Sequence, residues 1–130
     1  MSSLQGVTYP KGFRASGVAC GLKKNGNPDL GLVVCDHPAT AFGMFTRNVV
    51  KGHSLQLARD NVANGQAQAV VVNAGCANAC MGETGRQDAL TFARLTAEAV
   101  CCAPEDVLPG STGVIGMPLE MDKIAAGVKA

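Results

Sequence analysis

The stretch Pro109-Gly110-Ser111-Thr112-Gly113-Val114-Ile115-Gly116 places the strictest condition on the fold. Three glycines and two small hydroxyl residues lie between an apolar run ending at Leu108 and a helical pattern starting near Leu119. Glycine permits positive φ and close backbone approach, so such a loop can aim N–H groups and hydroxyls at one point. That point suits a phosphate, a carboxylate or the oxyanion of a tetrahedral intermediate. A plain strand-to-helix turn uses the same residue types, because Gly and Ser also build turns. The rest of the chain has to decide between the two.

At 130 residues the chain is one domain or a piece of one, large enough to bury roughly two thirds of its unfolded surface. A net charge of +1 supplies no electrostatic footprint for nucleic acid or an anionic membrane, and with one Tyr, four Phe and no Trp there is no base-stacking platform. Neither a membrane span nor a signal-peptide pattern is present, so the six cysteines are expected to stay reduced in a cytoplasmic compartment. Only Cys76 and Cys80 have metal-like spacing. The histidines, His37 and His53, are distant and unpaired, so no metal is expected and the thiols read as small buried hydrophobes.

Met1 to Tyr9 reads as a polar lead-in, and Pro10 to Leu22 as extended chain. Asn25-Gly26 supports a two-residue hairpin connection to an antiparallel strand at Leu30 to Cys35. A further strand is expected at Ala39 to Thr46, and a short helix at Leu55 to Ala63 ending at Asn64-Gly65, with Gly65 at the left-handed C-cap. Ala69 to Asn73 is rich in β-branched residues and uniformly apolar, which suits a central strand.

The best helical signal runs from about Gly85 to Cys102. Thr84 and Gln87 match a capping box, and Ala89, Phe92, Ala93, Thr96, Ala99 and Val100 share one face. Pro104 closes it. Met121, Ile124 and Val128 mark one side of a last helix starting near Leu119. The pattern implies an α/β fold, with mixed sheets and helices packed on them in layers.

A second glycine-rich stretch, Asn73 to Gly82, follows the central strand and precedes the long helix, a kind of junction where α/β proteins bind ligands. Asn73 and Asn78 are its candidate substrate-binding residues, with small neighbours keeping the surface open. The alternative is that their carboxamides only satisfy turn backbone. Gly75 and Gly82 do not fit the dinucleotide fingerprint.

Four segments in order, Lys11 to Val18, Pro38 to Ala41 with Phe45 to Asn48, Val70 to Ala79, and Ser111 to Gly116, resemble the ornithine acetyltransferase (glutamate N-acetyltransferase) family of arginine biosynthesis. The resemblance covers Pro10 to Lys129. It implies a precursor that cuts itself before a threonine into α and β chains, in the manner of N-terminal-nucleophile enzymes. That threonine carries acetyl from N-acetylornithine to glutamate, with its own α-amino group as base. Thr112 and Gly113 match the family's oxyanion-hole pair.

The resemblance further implies an α2β2 heterotetramer with the β chain as partner, and no cofactor. Acetyl-CoA stays open as a second donor. The family's Ala-Thr-Met-Leu cleavage motif and its Thr-Thr-Asp segment are absent. Thr8, Thr40, Thr46, Thr84, Thr91, Thr96 and Thr112 all stand in other contexts. Residues 1–130 are therefore expected to be a single partial domain, the N-terminal portion of an α chain, holding the oxyanion hole without the nucleophile and inert alone. The other readings the residues permit are a related N-terminal-nucleophile aminopeptidase and a non-catalytic amino-acid-binding module.

Overall fold

The computed structural model describes residues 6–130, so the first five residues of the expected polar lead-in lie outside the described residues. Strands β1 (Phe13–Val18), β2 (Leu30–Thr40), β3 (Gln66–Cys76) and β4 (Val107–Val114) form one sheet in the order β1-β2-β3-β4. β1 with β2 and β2 with β3 are antiparallel, whereas β3 and β4 are parallel and joined through a helix. The helices are α1 (His53–Asn61), α2 (Gly82–Val100) and α3 (Met121–Lys129). The expected α/β class with a mixed sheet and layered helices is the observed one.

Alternation along the strands explains the layering. Leu30, Leu32 and Val34 lie opposite Asn73, Val71 and Ala69, and the last two of these lie opposite Pro109 and Val107. This face meets Phe92, Ala93 and Ala97 of α2 and Ile124 of α3 in the core. Transferring such apolar surface out of water is the main favourable term in folding. The opposite face carries Val33, Val70, Val72 and Leu108.

Several local expectations change. The β1–β2 connection is not a two-residue turn but the whole of residues 19–29, even though Gly26 is left-handed at φ 72°. Its organiser is Asp29, which is 3% exposed. The Asp29 Oδ1 accepts from the Cys20 N–H at 2.7 Å and Oδ2 from the Lys23 N–H at 2.8 Å. Burial alone would raise the pKa of this carboxyl, but those backbone donors outweigh it and hold it at about 2.

The strand expected at Ala39 to Thr46 is instead the tail of β2, which continues past a register irregularity between Val34 and Ala39 to end at Thr40. Pro38 falls within that irregularity, where a missing N–H is tolerated in an interior strand. Beyond it the chain leaves the sheet, with Phe42 and Met44 fully in the open at 91% and 92% exposure. α1 starts two residues earlier than expected and ends in a short 3-10 turn, closed by Gly65 at φ 79°.

The expected capping box of α2 does not form. The helix begins at Gly82, Thr84 lies inside its first turn, and Gln87 bonds the Glu83 side chain at 2.7 Å. Instead the His53 Nε2 accepts the Met81 N–H at 3.3 Å, so a tertiary contact sets the start. The buried face takes Ala97 where Ala99 was expected. α2 ends at left-handed Cys101, ahead of Pro104, which opens a 3-10 turn. In α3, Ile124 is fully buried. Gly127 allows that depth, because a Cβ there would sit 2.6 Å from Cys20 Cβ and 2.8 Å from Leu30 Cδ2.

Candidate active site

The stretch expected as a loop is a strand for most of its length: Pro109 to Val114 belongs to β4, and the chain turns only at Ile115-Gly116. Gly, Ser and Pro are poor strand formers, so pairing with β3 imposes the extended form. β4 is a sheet edge, where Pro109 is tolerated.

That pairing brings the two glycine-rich stretches together. Asn73, Ala74, Gly75 and Cys76 lie opposite Ser111, Thr112, Gly113 and Val114. Gly75 has φ 116° and Gly113 φ 136°, and a Cβ at Gly113 would overlap the Gly75 backbone. Two glycines therefore face each other across the β3–β4 pair, in conformations that other residues rarely adopt.

Successive residues of β4 point to opposite faces. Ser111 turns toward the helices, and its Oγ lies 2.7 Å from the Oγ of Ser54 in the first turn of α1. Thr112 turns to the other face, on the side of Val70 and Val72, and both Thr112 and Gly113 are exposed. Beyond them the Ala77 N–H donates to Val114 O at 2.9 Å and the Gly116 N–H to Ala79 O at 3.1 Å. The Cys76 thiol donates to Met117 O at 2.9 Å. An exposed hydroxyl thus stands beside a left-handed glycine at the carboxyl ends of a parallel strand pair, where open α/β sheets bind ligands.

Asn73 and Asn78 do not line an open surface; both are fully buried. Asn73 Nδ2 donates to Cys76 O at 3.0 Å, and Asn78 Nδ2 donates to Gly85 O at 2.8 Å and approaches Ser54 Oγ at 3.4 Å. Neither Oδ1 has a partner among the described residues. Packing turned these carboxamides inward, and there they tie the β3–α2 loop to its surroundings. The sequence pattern assigns Ser54 no role and His53 only the place of an unpaired histidine; both stand in the first turn of α1, where a Ser and a His carry no periodic signal.

Asp29 supports the site from behind. Its carbonyl accepts from the Ala74 N–H at 2.7 Å, and the loop it organises brings Leu22 against Gly75, the partner of Gly113. The Asp88 carboxyl, on α2, is raised by burial against an opposing backbone donor at Leu119.

Among the described residues no group of three His, Cys, Asp or Glu side chains is placed to hold a metal ion, and no helix is long and apolar enough to cross a membrane. All six cysteines are free, with Cys76 buried and Cys80 exposed.

The Arginine biosynthesis bifunctional protein ArgJ of Symbiobacterium thermophilum is 46% identical over 127 residues, covering 96% of this chain and 32% of that protein. The ArgJ protein of Bacillus anthracis is 46% identical over 123 residues, covering 94% and 30%. Among solved structures, ornithine acetyltransferase from Mycobacterium tuberculosis, complexed with ornithine, superposes with a TM-score of 0.92 at 42% identity. That match covers 95% of this chain and 67% of the other. The ArgJ crystal structure from Bacillus halodurans gives 0.88 at 39% identity, covering 92% and 62%. The chain spans about a third of the length of the curated relatives it matches. Since the ArgJ family model matches residues 14–130, nearly the whole described structure, this chain belongs to the ArgJ family.

Proposed function

We propose that this chain is the N-terminal portion of the α chain of a self-processing acetyltransferase that moves acetyl from N-acetylornithine to glutamate. The nucleophile is the threonine at the start of the β chain, with its α-amino group as base. The threonine hydroxyl attacks the acetyl carbonyl as the amine takes its proton. The tetrahedral intermediate collapses, its C–N bond breaks, and ornithine leaves with that proton. The glutamate amino group then attacks the acetyl-threonine ester, giving N-acetylglutamate and free threonine. Both steps put negative charge on one oxygen. Thr112 Oγ1–H and the Gly113 N–H are the donors to it. The reaction needs no cofactor and no metal, and acetyl-CoA is a candidate second donor. The working enzyme is an α2β2 assembly in the cytoplasm, and this segment alone is inactive.

The observation carrying this reading is the exposure of Thr112 beside Gly113 at φ 136°, on the strand end held by Gly75. A relative that binds ornithine, at TM-score 0.92, supports the substrate class. The test is Thr112→Val in the complete processed enzyme. Turnover is expected to fall by roughly two to three orders of magnitude with KM little changed, as for a contact made only in the transition state. Full turnover in a stable variant overturns the assignment.

A further inference from the structure

We infer that Ser54 is a positioning residue for Thr112 and Gly113, acting through the hydroxyl of Ser111; the inference rests on the oxyanion reading above. β4 has a neighbouring strand on one side only. At its carboxyl end the partner of Gly113 is Gly75, so at that one pair no side chains meet. Ser111 and Thr112 are consecutive and point to opposite faces, so any rotation that swings one swings the other. Holding Ser111 against the helix layer therefore aims Thr112 and the following N–H.

The anchor is built for this. The two hydroxyl oxygens lie 2.7 Å apart, the usual length of an O–H···O bond. Ser54 is 1% exposed, on the first turn of α1. Asn78 Nδ2 reaches Ser54 Oγ at 3.4 Å and is itself held by Gly85 O at 2.8 Å, while Asn78 O accepts from the His53 N–H at 2.9 Å. An amide nitrogen only donates, so Ser54 accepts from Asn78, and its hydroxyl shares one further hydrogen bond with that of Ser111. A chain of hydrogen bonds thus runs from the buried β3–α2 loop, through α1, to the strand end. Neither serine touches the reacting atoms.

The test compares Ser54→Ala, Ser111→Ala, Thr112→Val and their pairwise combinations in the complete processed enzyme, reading kcat, KM and melting temperature. Ser54→Ala and Ser111→Ala are each expected to lower kcat about tenfold with KM within about twofold, far less than the loss of Thr112 itself. The serine double variant should be no worse than the poorer single one, because the two act as one unit. In the Thr112→Val background Ser54→Ala should add less than about twofold, and in the parent background Ser54→Thr should retain most of the kcat that Ser54→Ala loses, by keeping the hydroxyl. Should Ser54→Ala fail to fold, Ser111→Ala, at a half-buried position, carries the test.

The inference is overturned if both serine variants keep kcat while Thr112→Val loses it. It is equally overturned if they lower only the melting temperature, or if Ser54→Ala multiplies fully with Thr112→Val. A Thr112→Val enzyme of normal turnover overturns instead the oxyanion reading, and the inference with it.

Discussion

The two faces of the sheet were made from the same strands and differ in almost everything else. On β3, Val71 is 1% exposed, whereas its neighbours Val70 and Val72 are 41% and 40% exposed. The covered face meets α2 and α3 and ends, at the site, in the inward hydroxyl of Ser111. The open face carries an apolar groove of about 340 Å³, lined by Phe13, Val33, Val70 and Leu108 among others, and ends in the exposed Thr112. Residues one position apart thus face a packed layer on one side and open space on the other. Substitutions in the apolar core should lower stability, and those at the exposed strand end should lower turnover.

The largest effect is expected on the covered face. Phe92→Ala removes a fully buried ring from the centre of the core and should cost about 3–5 kcal/mol in denaturant unfolding. A loss below about 1 kcal/mol would mean that the helix layer is not what holds the sheet. Next is Thr112→Val, on the open face. It should raise the activation barrier of the complete enzyme by roughly 3 kcal/mol while leaving the melting temperature within a degree or two of the parent. Reduced stability with normal turnover would make Thr112 a structural residue and overturn the oxyanion reading.

Asp29→Asn is expected to be milder, about 1–3 kcal/mol at neutral pH, because the carboxylate accepting from Cys20 and Lys23 loses its charge in a buried setting. The carboxyl pKa is lowered in the folded chain to about 2 from its ordinary 3.8, so its contribution is fully present above the higher value. It is lost as pH falls from there through the lower one. Unfolding curves of parent and variant should therefore converge toward pH 2; a gap that persists there would point to shape rather than charge.

The smallest effect on stability belongs to the open face. Val72→Thr should change unfolding of the isolated chain by no more than about 0.5 kcal/mol. The isolated chain is expected to self-associate, since Val70 and Val72 are joined by Phe42, Met44 and Val49 at 91%, 92% and 94% exposure. Sedimentation should find Val72→Thr less associated than the parent. A strictly monomeric parent would contradict the expectation.

Some of this was legible from residue order. The β-branched run Val70 to Val72 and the helical spacing of Ala89, Phe92, Ala93 and Thr96 announce β3 and α2, because local composition and periodicity record which side of an element meets the core. Four ordered motifs point to the family, and Thr112 with Gly113 emerged as the candidate pair. Other features left no trace. Nothing in Thr84 and Gln87 reveals that His53 would take the Met81 N–H and start α2 earlier. Asn25-Gly26 is a sound turn signal, yet the carboxylate of Asp29 organises the whole connection.

Sequence alone determined the class of fold, the core face of α2 and the residue types available at the site, since these follow from local propensity and spacing. Tertiary structure decided how they are used. Pro109 to Val114 became strand rather than loop because β3 offered a parallel partner, and no local preference of Gly, Ser or Pro encodes that. Asn78 turned inward rather than toward a ligand because α1 and the start of α2 close over it, and Asn73 lies on the covered face, where it donates to Cys76 O. Ser54 met Ser111 across a long stretch of chain for the same reason. Hydrogen bonds between distant segments depend on how layers pack, and that information appears in a sequence only once the chain is folded.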